Sequence, residues 1–90
     1  MPQIVSFFVK KGSPIVFDGN FNKLSKHSIG VVRKISYGQN LDLAIKNGIF
    51  KRVEQANDVT QNFRKLIKGR IDIIPNSKYG GYHILNKLNQ

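Results

Sequence analysis

Apolar positions along the chain alternate between short continuous runs and helical spacings, the pattern of strands exchanging with helices. Residues 3–9 hold Ile4, Val5, Phe7, Phe8 and Val9 and predict a strand, which the turn-forming series Lys10, Lys11, Gly12, Ser13 and Pro14 ends. Residues 18–28 set Phe21 and Leu24 among polar residues and predict a loop with one helical turn. Residues 29–33 form a compact apolar run suited to a buried parallel strand.

The next segment carries the best local signal. Ser36 stands three residues before Gln39, a capping-box spacing, and Tyr37, Leu41, Ala44 and Ile45 then recur on one helical face until Gly48. Residues 49–53 predict another short strand. Asn57 or Asp58 caps a second helix with Val59, Phe63, Leu66 and Ile67 on its apolar face and Gly69 at its end. Residues 70–74 predict a further strand, broken by Pro75, Asn76 and Ser77. Ser77 caps a last helix that buries Ile84, Leu85 and Leu88, although Gly80 and Gly81 each cost it about 1 kcal/mol relative to alanine. The order predicts one α/β domain over residues 1–90, a small three-layer sandwich with a mainly parallel sheet.

Composition narrows the function. With 40% hydrophobic and 22% charged residues the chain is a folded globular one rather than a disordered one. It has no cysteine, which removes disulfides, thiolate catalysis and cysteine metal sites. His27 and His83 stand far apart and read as surface residues, so no metal or other cofactor is expected. Paired carboxylates, a nucleophile elbow and a phosphate-loop motif are absent, so no enzyme is expected. No apolar run approaches the roughly 18 residues of a membrane span, and no signal-peptide pattern opens the chain. A formal charge of +10 raises nucleic acid or an anionic membrane as a partner. The basic residues, however, never run beyond pairs such as Arg33-Lys34 and Lys51-Arg52, and no aromatic platform accompanies them, so nucleic-acid binding is the lesser alternative.

Three ordered landmarks carry a resemblance: residues 8–15 (FVKKGSPI), residues 29–33 (IGVVR) leading into Ser36, Tyr37 and Gly38, and residues 62–72 (NFRKLIKGRID). Over nearly its whole length the chain resembles the second lobe of the family 3 extracellular solute-binding proteins, typified by amino-acid-binding components of ABC transporters. The resemblance implies one lobe of a type II periplasmic-binding-protein fold, a periplasmic or extracellular parent protein, and an ABC transporter permease as its partner. It also implies a small-molecule ligand, such as an amino acid, shared with a first lobe that this chain lacks. A ligand-sensing domain of a membrane receptor is the alternative within the same resemblance.

In open α/β sheets, ligands gather beyond the carboxyl ends of parallel strands, where helix amino termini offer free amides. Residues 34–37 and Asn76-Ser77 occupy such points, and the expected ligand-binding residues are Ile35, Ser36, Tyr37 and Ser77. Ser36 matches the hydroxyl that the resemblance places against an anionic ligand group, and it also serves as a helix cap. Ser77 departs from it, standing where amino-acid binders carry an aspartate for the ligand ammonium. Lys34 and Ile35 likewise replace a glycine and a small hydroxyl residue. Asp72, inside a strand pattern, is expected to be structural. The apolar segment 4–9 and the missing returning strand of the resemblance predict a homodimer or swapped oligomer.

Overall fold

The computed structural model describes residues 6–10, 12–15, 17 and 19–88. Among these it places β1 (Ser6–Val9), a 3-10 turn (Phe21–Leu24), β2 (Ser28–Val32), α1 (Gln39–Lys46), β3 (Arg52–Ala56), α2 (Val59–Ile67), β4 (Ile73–Asn76) and α3 (Lys78–Leu88). The start of the first expected strand, residues 3–5, lies outside the described residues.

The four strands form one sheet in the order β1-β4-β2-β3. β2 runs parallel to β3, with Ile29 opposite Val53, and parallel to β4, with Ile29 opposite Ile73. β1 is antiparallel to β4, with Phe7 opposite Pro75. The helices cover both faces, which gives a three-layer α/β sandwich. On one face Leu41 and Ala44 of α1 pack with Leu24, Ile29, Val31, Phe50 and Ile73. On the other, Phe63 and Leu66 of α2 pack with Ile71 and Ile74, and Ile84, Leu85 and Leu88 of α3 close over them. β2 is buried along its whole length, as its uninterrupted apolar run requires.

Several boundaries differ from expectation. α1 begins at Gln39, with Gly38 as its N-cap at φ 101°, so Ser36 does not cap it. The strand expected over 49–53 is β3, Arg52–Ala56. Ile49 and Phe50 pack into the core from the connection instead, because the chain leaving Gly48 must first turn back over the end of α1, where the Ile49 amide meets the Ala44 carbonyl. Pro75 lies inside β4 rather than breaking it. The bridge to β2 is at Ile73, so the strand has passed that ladder by Pro75 and the missing N–H leaves no bond there unmade. Of the two candidate caps of α2, Asp58 is the one used; its carboxylate accepts the Gln61 amide at 2.7 Å, while the Gln61 side chain accepts the Asn57 amide.

Asp72 is structural, as expected. Its carboxylate accepts the Ser28 amide at 3.0 Å, and its own amide donates to the Ser28 carbonyl at 3.1 Å, which fastens the entry of β4 to the entry of β2. Glu54 on the outer strand β3 is ringed by Arg52, Lys65 and Arg70 at 3.0 to 3.4 Å. Burial raises its pKa, but the hydrogen bond from Lys65 and the charges of Arg70, Arg52 and Lys65 outweigh it and hold the carboxyl below its usual range.

Candidate functional site

Because β2, β3 and β4 are parallel, the helices that follow them all begin at one end of the sheet. At this end β2 sends its helix to one face and its neighbour β4 sends α3 to the other, which makes the gap between them a topological switch point. The Ile29–Ile73 register sets Val32 level with Asn76, so the loop 33–38 and the Asn76-Ser77 corner flank the same crevice.

The loop is shaped by two residues with positive φ, Lys34 at 65° and Gly38 at 101°. The Ile35 amide donates to the Val32 carbonyl at 3.3 Å and closes the turn. Ile35 itself is 48% exposed, a large apolar side chain left at the surface. Tyr37 folds back: its ring is buried and its hydroxyl oxygen accepts the Val32 amide at 2.9 Å. Burial raises the Tyr37 pKa, more than the Val32 hydrogen bond lowers it, and the Asp42 charge adds to the rise. The phenol therefore stays neutral and props the loop against the end of β2.

Asp42 governs the rest of the loop, and the sequence reading missed it. One carboxylate oxygen accepts the Tyr37 amide at 3.0 Å and the other accepts the Ser36 hydroxyl at 2.5 Å, while the Ser36 oxygen takes a long bond of 3.4 Å from the Gly38 amide. An acid in the first turn of a predicted helix is the signal that pointed to it. No side chain caps α1, so the Gln39, Asn40 and Leu41 amides face outward.

Across the crevice Ser77 accepts the Gly80 amide at 3.2 Å and so caps α3. Its hydroxyl is exposed, next to Tyr79, which is 88% exposed. Ile35, Ser36 and Tyr37 thus share one loop, with Ser77 on the neighbouring strand end; no hydrogen bond joins the two groups among the described residues. A groove of about 330 Å³ runs beside the α1 amino terminus, walled by Tyr37, Gly38, Gln39, Asn40 and Leu41 on one side and by Phe7, Phe17 and Phe21 on the other. A smaller cleft of about 160 Å³ holds Lys34, Ile35, Tyr37 and Asp42. Tyr37 lines both; Ser36 and Ser77 line neither. The phenylalanines form an aromatic wall, Phe7 and Phe17 edge-on at 4.8 Å and Phe17 and Phe21 stacked at 5.1 Å.

Lys34 holds a backbone conformation that side chains bearing a Cβ pay about 1–2 kcal/mol to adopt. Lys34→Gly should therefore raise stability by about 0.5–1 kcal/mol, the relief being partly offset by the greater freedom of glycine in the unfolded chain. Urea denaturation measures it, and a loss of stability would show that the Lys34 side chain holds the loop by contacts of its own.

Neither the family profiles nor the curated proteins searched match this sequence. Among solved structures, the fold is similar to that of a Streptococcus pneumoniae protein described as the second substrate-binding domain of an amino acid ABC transporter. The TM-score is 0.63 at 18% identity, covering 80% of this chain and 31% of that one. The likeness establishes the fold, a small α/β sandwich shared with that substrate-binding domain.

Proposed function

We propose that this chain is the ligand-binding lobe of a two-lobed solute-binding protein that delivers a small polar solute, such as an amino acid, to an ABC transporter. The observation that carries the reading is the switch-point crevice, with the uncapped amides of α1 on one flank and the Ser77 corner on the other. In it the α1 amides meet an anionic group of the solute, Ser36 joins them by turning its hydroxyl from Asp42 to that group, Ile35 and Tyr37 shape the loop around it, and Ser77 offers a hydroxyl from across the gap. A first lobe completes the enclosure, the permease receives the solute, and the parent protein works in the periplasm or outside the cell. The similarity of 80% of this chain to a substrate-binding domain supports this assignment.

One lobe gives the solute only half of its contacts, because lobe closure is what buries such ligands. Amino acids and small carboxylates should bind the isolated chain at about millimolar strength, near −4 kcal/mol. In amide NMR titrations the shifts should concentrate in residues 34–41 and 76–80. Shifts confined to other parts of the sheet, or none at tens of millimolar solute, would refute the assignment.

A further inference from the structure

We propose that the end of the sheet opposite the crevice docks on an anionic phospholipid surface. The formal charge of +10 is not spread evenly once the chain folds. The acids among the described residues are committed internally: Asp42 to Ser36 and Tyr37, Asp58 to the Gln61 amide, Asp72 to Ser28, and Glu54 to its ring of Arg52, Lys65 and Arg70. The lysines gather where the parallel strands begin. Lys10, Lys26, Lys46, Lys51 and Lys68 are all exposed at that end and pair with no acid among the described residues.

The end is one continuous surface. A Cβ added at Gly69 would lie 3.8 Å from Lys10 Nζ, the Arg52 guanidinium donates to the Arg70 carbonyl at 2.7 Å, and the Lys51 amide donates to the His27 carbonyl at 3.0 Å. Lys46 and Lys68 stand at the carboxyl ends of α1 and α2, where they also compensate helix dipoles. Lys10, Lys26 and Lys51 lie in connections and compensate no helix, so dipoles do not account for them.

The chemistry favours lipid over nucleic acid. The five cations at this end that pair with no acid are all lysine, compact point charges without the bidentate fork that reads phosphodiesters and bases, while the two arginines there, Arg52 and Arg70, are held on Glu54. Of the most exposed aromatic side chains, Phe17 lines the groove at the α1 amino terminus and Tyr79 stands in the first turn of α3, both at the crevice end of the sheet. A lysine beside an anionic leaflet strengthens binding about fivefold. Docked this way, the crevice at the other end of the strands faces outward.

Two triple variants test the proposal with equal charge removed. One is Lys10→Gln, Lys26→Gln and Lys51→Gln; the other, at the crevice end, is Arg33→Gln, Lys34→Gln and Lys78→Gln. Binding is read by co-sedimentation with phosphatidylglycerol-containing vesicles and with phosphatidylcholine vesicles, at low and moderate salt. The unaltered protein should bind only the anionic vesicles, the first triple should lose about a hundredfold and the second less than about tenfold. Equal losses in the two triples would overturn the proposal, as would absence of binding to anionic vesicles at low salt. So would displacement from the vesicles by a DNA oligonucleotide whose own binding the first triple abolishes.

Discussion

Gly30→Ala is expected to remove about 3 kcal/mol of stability, a large part of what a domain of this size holds. Gly30 sits in the middle of β2, the strand buried from end to end. A Cβ there would overlap the side chains of Ile71 and Asn62, both nearly inaccessible at 1% exposure. Neither can retreat: Ile71 packs with fully buried Phe63 and Ile74, and Asn62 is held by the bond from its Nδ2 to the Gly30 carbonyl at 3.0 Å. Overpacking of this kind costs about 1–3 kcal/mol. Pushing Asn62 aside breaks its one bond, and since its Oδ1 already lacks a partner, the whole amide would be buried unsatisfied, at about a further 1–3 kcal/mol. Urea denaturation gives the total. The mechanism is tested by adding Asn62→Ala, which removes one of the two overlaps. The double variant should be more stable than the sum of the two single effects by at least about 1 kcal/mol, and additivity within about 0.5 kcal/mol would place the strain elsewhere.

The same contact shows what the sequence reveals and what it hides. The apolar runs that became β2 and β4 and the apolar face of α2 were legible because burial itself writes the pattern. That the two strands run parallel in one sheet with helices starting at one end followed from the order of the elements; that they are neighbours did not. Asn62 was invisible as a core residue, since its place depends on a glycine 32 positions earlier that leaves room for it. The position of β3 was misread because Ile49 and Phe50 are as apolar as strand residues yet fill the core from a connection. Pro75 carried a breaker signal that local pairing overrode. In the candidate site, the loop 33–38 and the Ser77 corner were legible from strand-to-helix boundaries, and Lys34 stands at a left-handed position where the resemblance expects glycine. The aromatic wall is assembled from β1 and the connection after it, across a sequence distance that local patterns do not span.

Asp42→Asn should separate the architecture of the loop from its charge. The asparagine oxygen can still accept the Tyr37 amide, and its NH₂ can donate to Ser36, whose hydroxyl now serves as the acceptor. Two charge-assisted bonds become neutral ones and the favourable charge in the first turn of α1 is lost, so stability should fall by about 1 kcal/mol. The effect on binding has the opposite sign. As it stands, the carboxylate lies against the helix amino terminus whose amides would receive an anionic ligand group, and it repels that group. A unit charge about 6 Å away, at an effective dielectric of about 40, is worth about 1.4 kcal/mol. Small carboxylates should therefore bind the variant about tenfold more tightly, with amide shifts centred on Gln39, Asn40 and Leu41. The gain should shrink as salt is added, because the lost repulsion is electrostatic and the loop is exposed. If stability falls as expected while carboxylate affinity stays the same, no anion approaches the α1 terminus, and Ile35, Ser36 and Tyr37 belong to a loop that supports the fold without touching the solute.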